Sequence, residues 1–285
     1  MTDTTTHQKR RLRAHFGFAK MPFAKAIWAA HMFDSASQRD LLHGLHMWLE
    51  ILGFALVTGA SGVGKSITLR RFVQDLDETR YRVVDFAYLP TTVTGFLRSL
   101  NRKLGLPMRL HSVDLFDQAQ KHLVTYQQER GVHPIVLIDD AEGLSSPVMD
   151  LLRRLTAFDM DAEDHFSVLL SGTDDLLGVL RHPALASLRS RVFFAEALKP
   201  FGMDDARNYI RFHLERAQVD PRVFTDQAIR HIFQASQGRP RNINQLATQA
   251  LIQAAVQSRD GIDGDFMGHI IDLHPLYQRP TGGSR

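Results

Sequence analysis

Residues Gly59-Ala60-Ser61-Gly62-Val63-Gly64-Lys65-Ser66 fill every position of the pattern G-x-x-x-x-G-K-[ST], and this octet constrains the chain more than any other feature. The pattern is a phosphate-binding loop. Its glycines let successive backbone N–H groups turn inward around a β-phosphate, the lysine brings a mobile charge to the β- and γ-phosphates, and the final hydroxyl ligates Mg2+. The flanks agree with that reading. Gly53-Phe54-Ala55-Leu56-Val57-Thr58 is a short apolar run of the kind that forms a buried parallel strand, and Lys65 to about Leu76 reads as a helix. A strand, this loop and a helix predict a nucleotide site in which Gly59 to Ser66 surround the phosphates of a nucleoside triphosphate.

A second strand supplies the complementary acid. Ile135-Val136-Leu137-Ile138 is apolar and runs straight into Asp139-Asp140. An acid at the carboxyl end of a buried strand is where such sites hold the Mg2+ shell, and Asp139 takes that role. Asp140 points toward the γ-phosphate and polarises the attacking water. Glu142 is a fallback base, and both Glu142 and His133 read as solvated by default.

The remaining pattern alternates. A helix is expected from Ser35 to Leu52, a strand from Tyr81 to Leu89, helices over Thr92–Leu104 and Val113–Gln128, a helix over Ser145–Phe158, a strand over Phe166–Ser171, a short helix near Asp174–Leu180 and a strand opening at Val192. Strands alternating with helices imply crossover connections and a mostly parallel sheet covered on both faces. After Lys199-Pro200 the texture changes to three helical patterns, Met203–Gln218, Thr225–Ala235 and Asn242–Gln257. The organisation read from the sequence is a basic arm and aromatic lead-in over 1–32, an α/β nucleotide-binding domain over 33–199, an all-helical lid over 200–258 and a tail over 259–285.

Composition excludes several alternatives. With 285 residues, 44% of them hydrophobic and 23% charged, the chain can bury a core without staples. It has no cysteine, which removes disulfides, a thiol nucleophile and thiolate zinc sites. No stretch approaches the roughly 18 apolar residues of a membrane span, and the polar, basic start lacks a signal-peptide core. A soluble, cytoplasmic protein is expected. The net charge of +3 is uneven, with Lys9, Arg10, Arg11, Arg13 and Lys20 against a single acid in the first twenty residues. His43 and His46 share a helical face but lack a third ligand with suitable spacing, so a metal site there is set aside. Trp28, Trp48 and the 18 phenylalanines read as core or subunit interface rather than base-stacking platforms.

Taken together, these motifs resemble a family. The phosphate loop, the Leu-Ile-Asp-Asp strand, the strand entering Ser171-Gly172-Thr173, the arginines of Leu188-Arg189-Ser190-Arg191 and the segment Gly238-Arg239-Pro240-Arg241-Asn242-Ile243-Asn244 resemble an AAA+ ATPase of the P-loop NTPase class. Its fold is a three-layer αβα parallel sheet with a helical lid. With the lead-in Phe16-Gly17-Phe18 and Pro22-Phe23, the chain looks most like the ExeA-type branch, which includes the ATPases that accompany DDE transposases (the TniB, TnsC and MuB kind).

The resemblance implies roles at matching positions. Ser171 or Thr173 is the polar sensor of the water or γ-phosphate, Arg189 or Arg191 the arginine finger reaching a neighbouring subunit, and Arg241 the second sensor over its own nucleotide. The family usually has glutamate where this chain has Asp140, so slow hydrolysis is expected, as suits a switch. The secretion members carry a membrane span and a peptidoglycan-binding segment after the ATPase. Their absence from this sequence argues for the transposon-associated kind. The resemblance then implies an ATP- and Mg2+-dependent regulator of DNA transposition that assembles as rings or filaments on double-stranded DNA. It would recruit or stimulate a transposase, with a target-selection protein as a further partner and no membrane. Arg98, Arg102 and Lys103 are the DNA-contacting candidates, with Lys9, Arg10 and Arg11 weaker ones. The alternatives are a secretion or envelope-assembly ATPase and an ATP-gated interaction module that does not bind DNA.

Overall fold

The computed structural model describes residues 13–23, 32–86, 89–157 and 165–277. Lys9, Arg10, Arg11 and Trp28 lie outside the described residues.

Five strands form one parallel sheet in the order β2-β3-β4-β1-β5, where β1 is Phe54–Thr58, β2 Tyr81–Phe86, β3 His133–Ile138, β4 Ser167–Ser171 and β5 Val192–Ala197. The three inner strands are buried at every position, which is why their sequences are continuous apolar runs rather than alternating ones. β2 and β5 are the edges and carry exposed residues. The helices α1 (Ala36–Trp48), α2 (Lys65–Asp75), α3 (Val93–Lys103), α4 (Ser112–Arg130), α5 (Ser146–Leu155), α6 (Asp175–Leu180) and the short α7 (Ala186–Arg189) connect and cover them.

Local chemistry sets several boundaries. Thr92 caps α3, its Oγ1 accepting from the Gly95 N–H at 3.1 Å, a device contributing about 1 kcal/mol. Gly131, at φ +64, ends α4 and turns the chain into β3. In α1, Gly44 lets the helix lie on β5, because a Cβ there would come within 2.6 Å of the Phe194 ring. The sheet core runs from Phe54 and Val84 through Phe96, Leu100, Leu115 and Leu152 to Leu188. Within it the Phe86 and Phe96 rings stack with centroids 4.7 Å apart.

The chain divides into two compact units, each with its own core. One comprises Ala36–Ala60 and Thr68–Leu198; the other comprises the described residues up to Ser35, the loop segment Ser61–Ile67 and everything from Lys199 on. The second unit is built on α8 (Met203–Arg216), α9 (Asp226–Ser236), α10 (Pro240–Val256) and α11 (Gly264–Leu273). The aromatic lead-in is part of its core: Phe18 and Phe23 are buried there, and the Phe33 ring meets those of Phe201, Tyr209 and Phe212 edge-on. α11 lies in the stretch read from sequence as a tail. Its Asp263 cap and buried Phe266, Met267 and Ile270 make it an integral helix. Among the described residues, no helix is long and apolar enough to cross a membrane.

His133 corrects the sequence reading. It is not solvated but buried at the start of β3, its Nε2 2.9 Å from the Ser167 hydroxyl. Burial, with the nearby His165 adding to it, pushes its pKa down to about 4, and burial does the same to His213 in the helical unit, to about 4, helped by Arg216. Both groups therefore bind protons more readily in the unfolded chain. Their contribution to stability is complete above pH 6.5 and is lost as the pH falls toward 4, up to roughly 3 kcal/mol each. The unfolding midpoint is expected to drop steadily through that window, and His133→Gln to flatten the dependence by about half; thermal unfolding across a pH series checks this.

Candidate nucleotide site

β1 ends at the buried Thr58 and delivers the phosphate loop, whose glycines adopt conformations that L side chains rarely take: φ is +144 at Gly59, +82 at Gly62 and +113 at Gly64. These angles turn the intervening N–H groups into one concavity, a nest for an anion. Lys65 begins α2 with only 7% of its surface exposed, and the Ser66 hydroxyl follows on an exposed residue. The first turn of α2 holds no acidic residue, so its positive end is available to phosphate oxygens.

The loop segment is tied to the helical unit by Arg241. Its backbone N–H donates to the Gly62 carbonyl at 3.2 Å, and its guanidinium donates to the Ser61 hydroxyl at the same distance. Gly62 is required twice over, by its φ and because a Cβ would sit 2.9 Å from the Arg241 Cβ. Arg241 itself is placed by a locked turn: Gly238, at φ +68, packs against the Phe201 backbone, the Phe201 N–H donates to the Gly238 carbonyl at 2.9 Å, and Pro240 starts α10.

On the sheet, β4 separates β1 from β3, so Ser171 ends the strand next to the one that ends before Asp139. The Ser171 hydroxyl donates to Asp139 Oδ1 at 2.8 Å, and the Asp140 N–H donates to the same oxygen at 3.1 Å. Two donors on one oxygen fix the direction of this carboxylate. Asp140 sits in the left-handed region, φ +54, which aspartate tolerates better than most residues. It opens a 3-10 turn, Ala141–Gly143, but its side chain does not cap that turn. Thr173, the other sensor candidate, is turned toward Asp175, 3.4 Å away at the start of α6.

Glu142 also departs from the solvated default of the sequence reading. The residue is half-buried: its Oε2 is buried without a hydrogen-bond partner and lies where a side chain on Gly172 would have to go. The carboxylate two residues beyond Asp140 is thus packed on the turn that carries the sensor. Only the glycine in Ser171-Gly172-Thr173 hinted at that approach.

Neither candidate finger hangs free. The exposed Arg189 donates to the Leu180 carbonyl at 3.0 Å, at the end of α6; the half-buried Arg191 donates to the Arg153 carbonyl at 3.3 Å and the Thr156 hydroxyl at 3.1 Å, at the end of α5. Each guanidinium caps a helix carbonyl end, where positive charge is favoured. On α3, Arg98 and Arg102 share one exposed face at i,i+4, whereas Lys103 leans on Asp85 at 3.8 Å and over the Phe86 ring.

The Ser66 hydroxyl and the Asp139 carboxylate are each a hard oxygen donor of the type magnesium takes.

Known proteins resemble this chain in sequence and in fold. Residues 52–180 match the family described as AAA domain. General secretion pathway protein A of Aeromonas hydrophila is 30% identical over 246 residues, which are 84% of this chain and 44% of that protein; the chain therefore spans less than half of its relative's length. Among solved structures, the Aeropyrum pernix ORC2 protein superposes with a TM-score of 0.65 at 15% identity, covering 92% of this chain and 71% of that one. The Aeropyrum pernix ORC1 protein, solved in complex with DNA, does so with a TM-score of 0.58 at 19% identity, covering 82% and 63%. At these identities the structures share the fold alone.

Gly172→Ala tests the packing of Glu142. The added methyl meets the Glu142 carboxylate and lies 3.1 Å from the Leu176 Cβ, so a loss of about 1–3 kcal/mol is expected. Adding Glu142→Ala restores part of it, and a double-mutant cycle in denaturant unfolding measures the coupling.

Proposed function

From a P-loop NTPase fold of the AAA+ type that is homologous to general secretion pathway protein A, we propose a Mg2+-dependent ATPase that assembles on double-stranded DNA when ATP is bound. The assembly, a ring or a filament, recruits or stimulates a transposase, and hydrolysis releases it. The observation that carries the nucleotide switch is the pair of hydrogen bonds from Arg241 to Ser61 and Gly62. The helical unit holds the phosphate loop directly, so whether phosphates fill that loop changes what Arg241 can bond.

The residues divide the work as follows. Backbone N–H groups of Gly59 to Ser66 and the Lys65 ammonium bind the phosphates, and Ser66 and Asp139 hold the metal shell. Magnesium, when bound, neutralises charge on the β- and γ-phosphate oxygens. Asp140 orients the attacking water, and Ser171 keeps Asp139 in place for it. A finger from a neighbouring subunit, Arg189 or Arg191, has to leave its helix-end carbonyl to reach a γ-phosphate. That exchange makes turnover depend on assembly and keeps the isolated subunit slow. Arg98 and Arg102 contact DNA phosphates on one helical face, a contact that is salt-sensitive and tolerant of sequence. The DNA-bound ORC1 protein, which shares the fold, supports this reading.

A second reading has its own support. The relative at 30% identity is a secretion-pathway protein, and the same switch would there act on an envelope-assembly partner without DNA. Electron microscopy of the protein with duplex DNA, in the absence of nucleotide and with ADP or a non-hydrolysable ATP analogue, separates the two. DNA-bound assemblies with the analogue alone are expected; assemblies indifferent to DNA would favour the secretion reading. Lys65→Ala is expected to abolish nucleotide binding and assembly. Asp140→Asn is expected to retain assembly while lowering hydrolysis at least about 10-fold; assembly that survives both substitutions would sink the switch.

A further inference from the structure

We propose that Arg82 and Arg130, gathered over Tyr126 at the starting edge of the sheet, form a second anion site that takes phosphodiester groups of a nucleic-acid backbone. This rests on the reading of the chain as a DNA-assembling ATPase and adds a contact surface to it.

The cluster is built from two elements. Tyr126 and Arg130 lie four residues apart in the last turns of α4, on one helical face. Arg82 comes from β2, the edge strand, which runs parallel to β3 with Arg82 opposite Pro134. The guanidinium carbons of Arg82 and Arg130 stand 4.8 and 4.7 Å from the centre of the Tyr126 ring. The helix dipole favours Arg130 at this end of α4, but it gives no reason for Arg82, which arrives from a strand.

Charge is the telling feature. Several arginines elsewhere pair with carboxylates, as in Arg71–Asp75, Arg153–Asp150, Arg207–Asp204, Arg222–Asp220 and Arg259–Asp263. Among the described residues no carboxylate lies within ion-pairing distance, 4.0 Å, of Arg82 or Arg130. The aromatic ring offsets only part of the positive charge that the two guanidiniums bring to it. His122, whose Nε2 is buried without a hydrogen-bond partner, tilts toward the same ring at 5.7 Å. Burial and then both guanidiniums hold its pKa below the ordinary histidine range; hydrogen bonding to Arg82 heads the causes that lower that of the Tyr126 phenol. In both groups the charge of Arg82 and Arg130 adds to the shift, behind burial in His122 and hydrogen bonding in Tyr126.

The site is separate from the nucleotide site. β2 and β3 are parallel, so Arg82 lies near the strand starts and Asp139 beyond the strand ends, roughly 16–17 Å away at the rise of a strand. An ATP phosphate cannot satisfy it. Two planar forks suit phosphate oxygens, and a repeating polyanion can offer each fork its own phosphate. With guanidiniums over the ring, Tyr126 is not a platform for stacking bases, so the contact carries no sequence preference.

The test measures duplex affinity of the full chain with a non-hydrolysable ATP analogue over a salt series. The double substitution Arg82→Gln and Arg130→Gln is expected to weaken binding roughly 10-fold and to lower the log–log salt slope by about 2. Arg82→Lys with Arg130→Lys should keep most of that slope, and each single glutamine variant should lose about 1. Binding of a fluorescent ATP analogue should stay unchanged in all of them, which also reports that they fold. An unchanged slope in the glutamine variants, with wild-type binding intact, overturns this site and leaves the DNA reading standing. A wild-type chain that binds no duplex in any nucleotide state overturns both. Inorganic phosphate, at matched ionic strength, is the second probe. If it raises the unfolding midpoint of the wild type but not of the double variant while the DNA slope is unchanged, the site serves free phosphate and the nucleic-acid assignment fails.

Discussion

A loop that must point several backbone N–H groups at one anion cannot be made of ordinary residues, and it cannot be left unsupported. Here three glycines at positive φ make the concavity, β1 carries the loop out of the sheet beside β4, and Arg241 holds it through Ser61 and Gly62. The inner strands are buried at all positions, so their carboxyl ends are fixed points from which Asp139 and Ser171 are presented. Gly238, pressed on the Phe201 backbone, does for Arg241 what the sheet does for Asp139.

Several of the candidate polar and charged groups are already held by internal contacts. Ser171 and the Asp140 N–H both occupy one oxygen of Asp139. Arg189 and Arg191 each bond a helix-end carbonyl. Glu142 keeps a buried, unsatisfied oxygen against the Gly172 turn, a cost of the kind that persists at sites where strain has a use. A switch needs such alternatives: a group already bonded can exchange partners at a modest difference in free energy, whereas a solvated one must first be ordered.

The legible parts were those whose physics is local. Eight consecutive residues specify the loop because the glycine conformations and the Lys-Ser pair are consecutive requirements. The helix from Thr92 and the strands opening at Phe54 and Val192 lie where caps and apolar runs place them. His133 and Glu142 were misread because burial of a polar residue depends on what packs over it, here Ser167 from β4 and the turn at Gly172. The helix over Gly264–Leu273 was missed since glycines and prolines near it outweighed a short apolar stripe, although Phe266, Met267 and Ile270 have a core waiting for them.

By itself the sequence determined the phosphate loop, the acid at the end of β3, the alternation that makes a parallel sheet and the helical texture after Pro200, because each is written in neighbouring residues. Tertiary structure alone decided the strand order, the entry of Phe18 and Phe23 into the helical core, the tether from Arg241 to the loop and the gathering of Arg82 and Arg130 on Tyr126. Those arrangements join residues as far apart as Ser61 and Arg241, and which distant partners meet is settled by how buried surfaces pack, a property no local pattern contains.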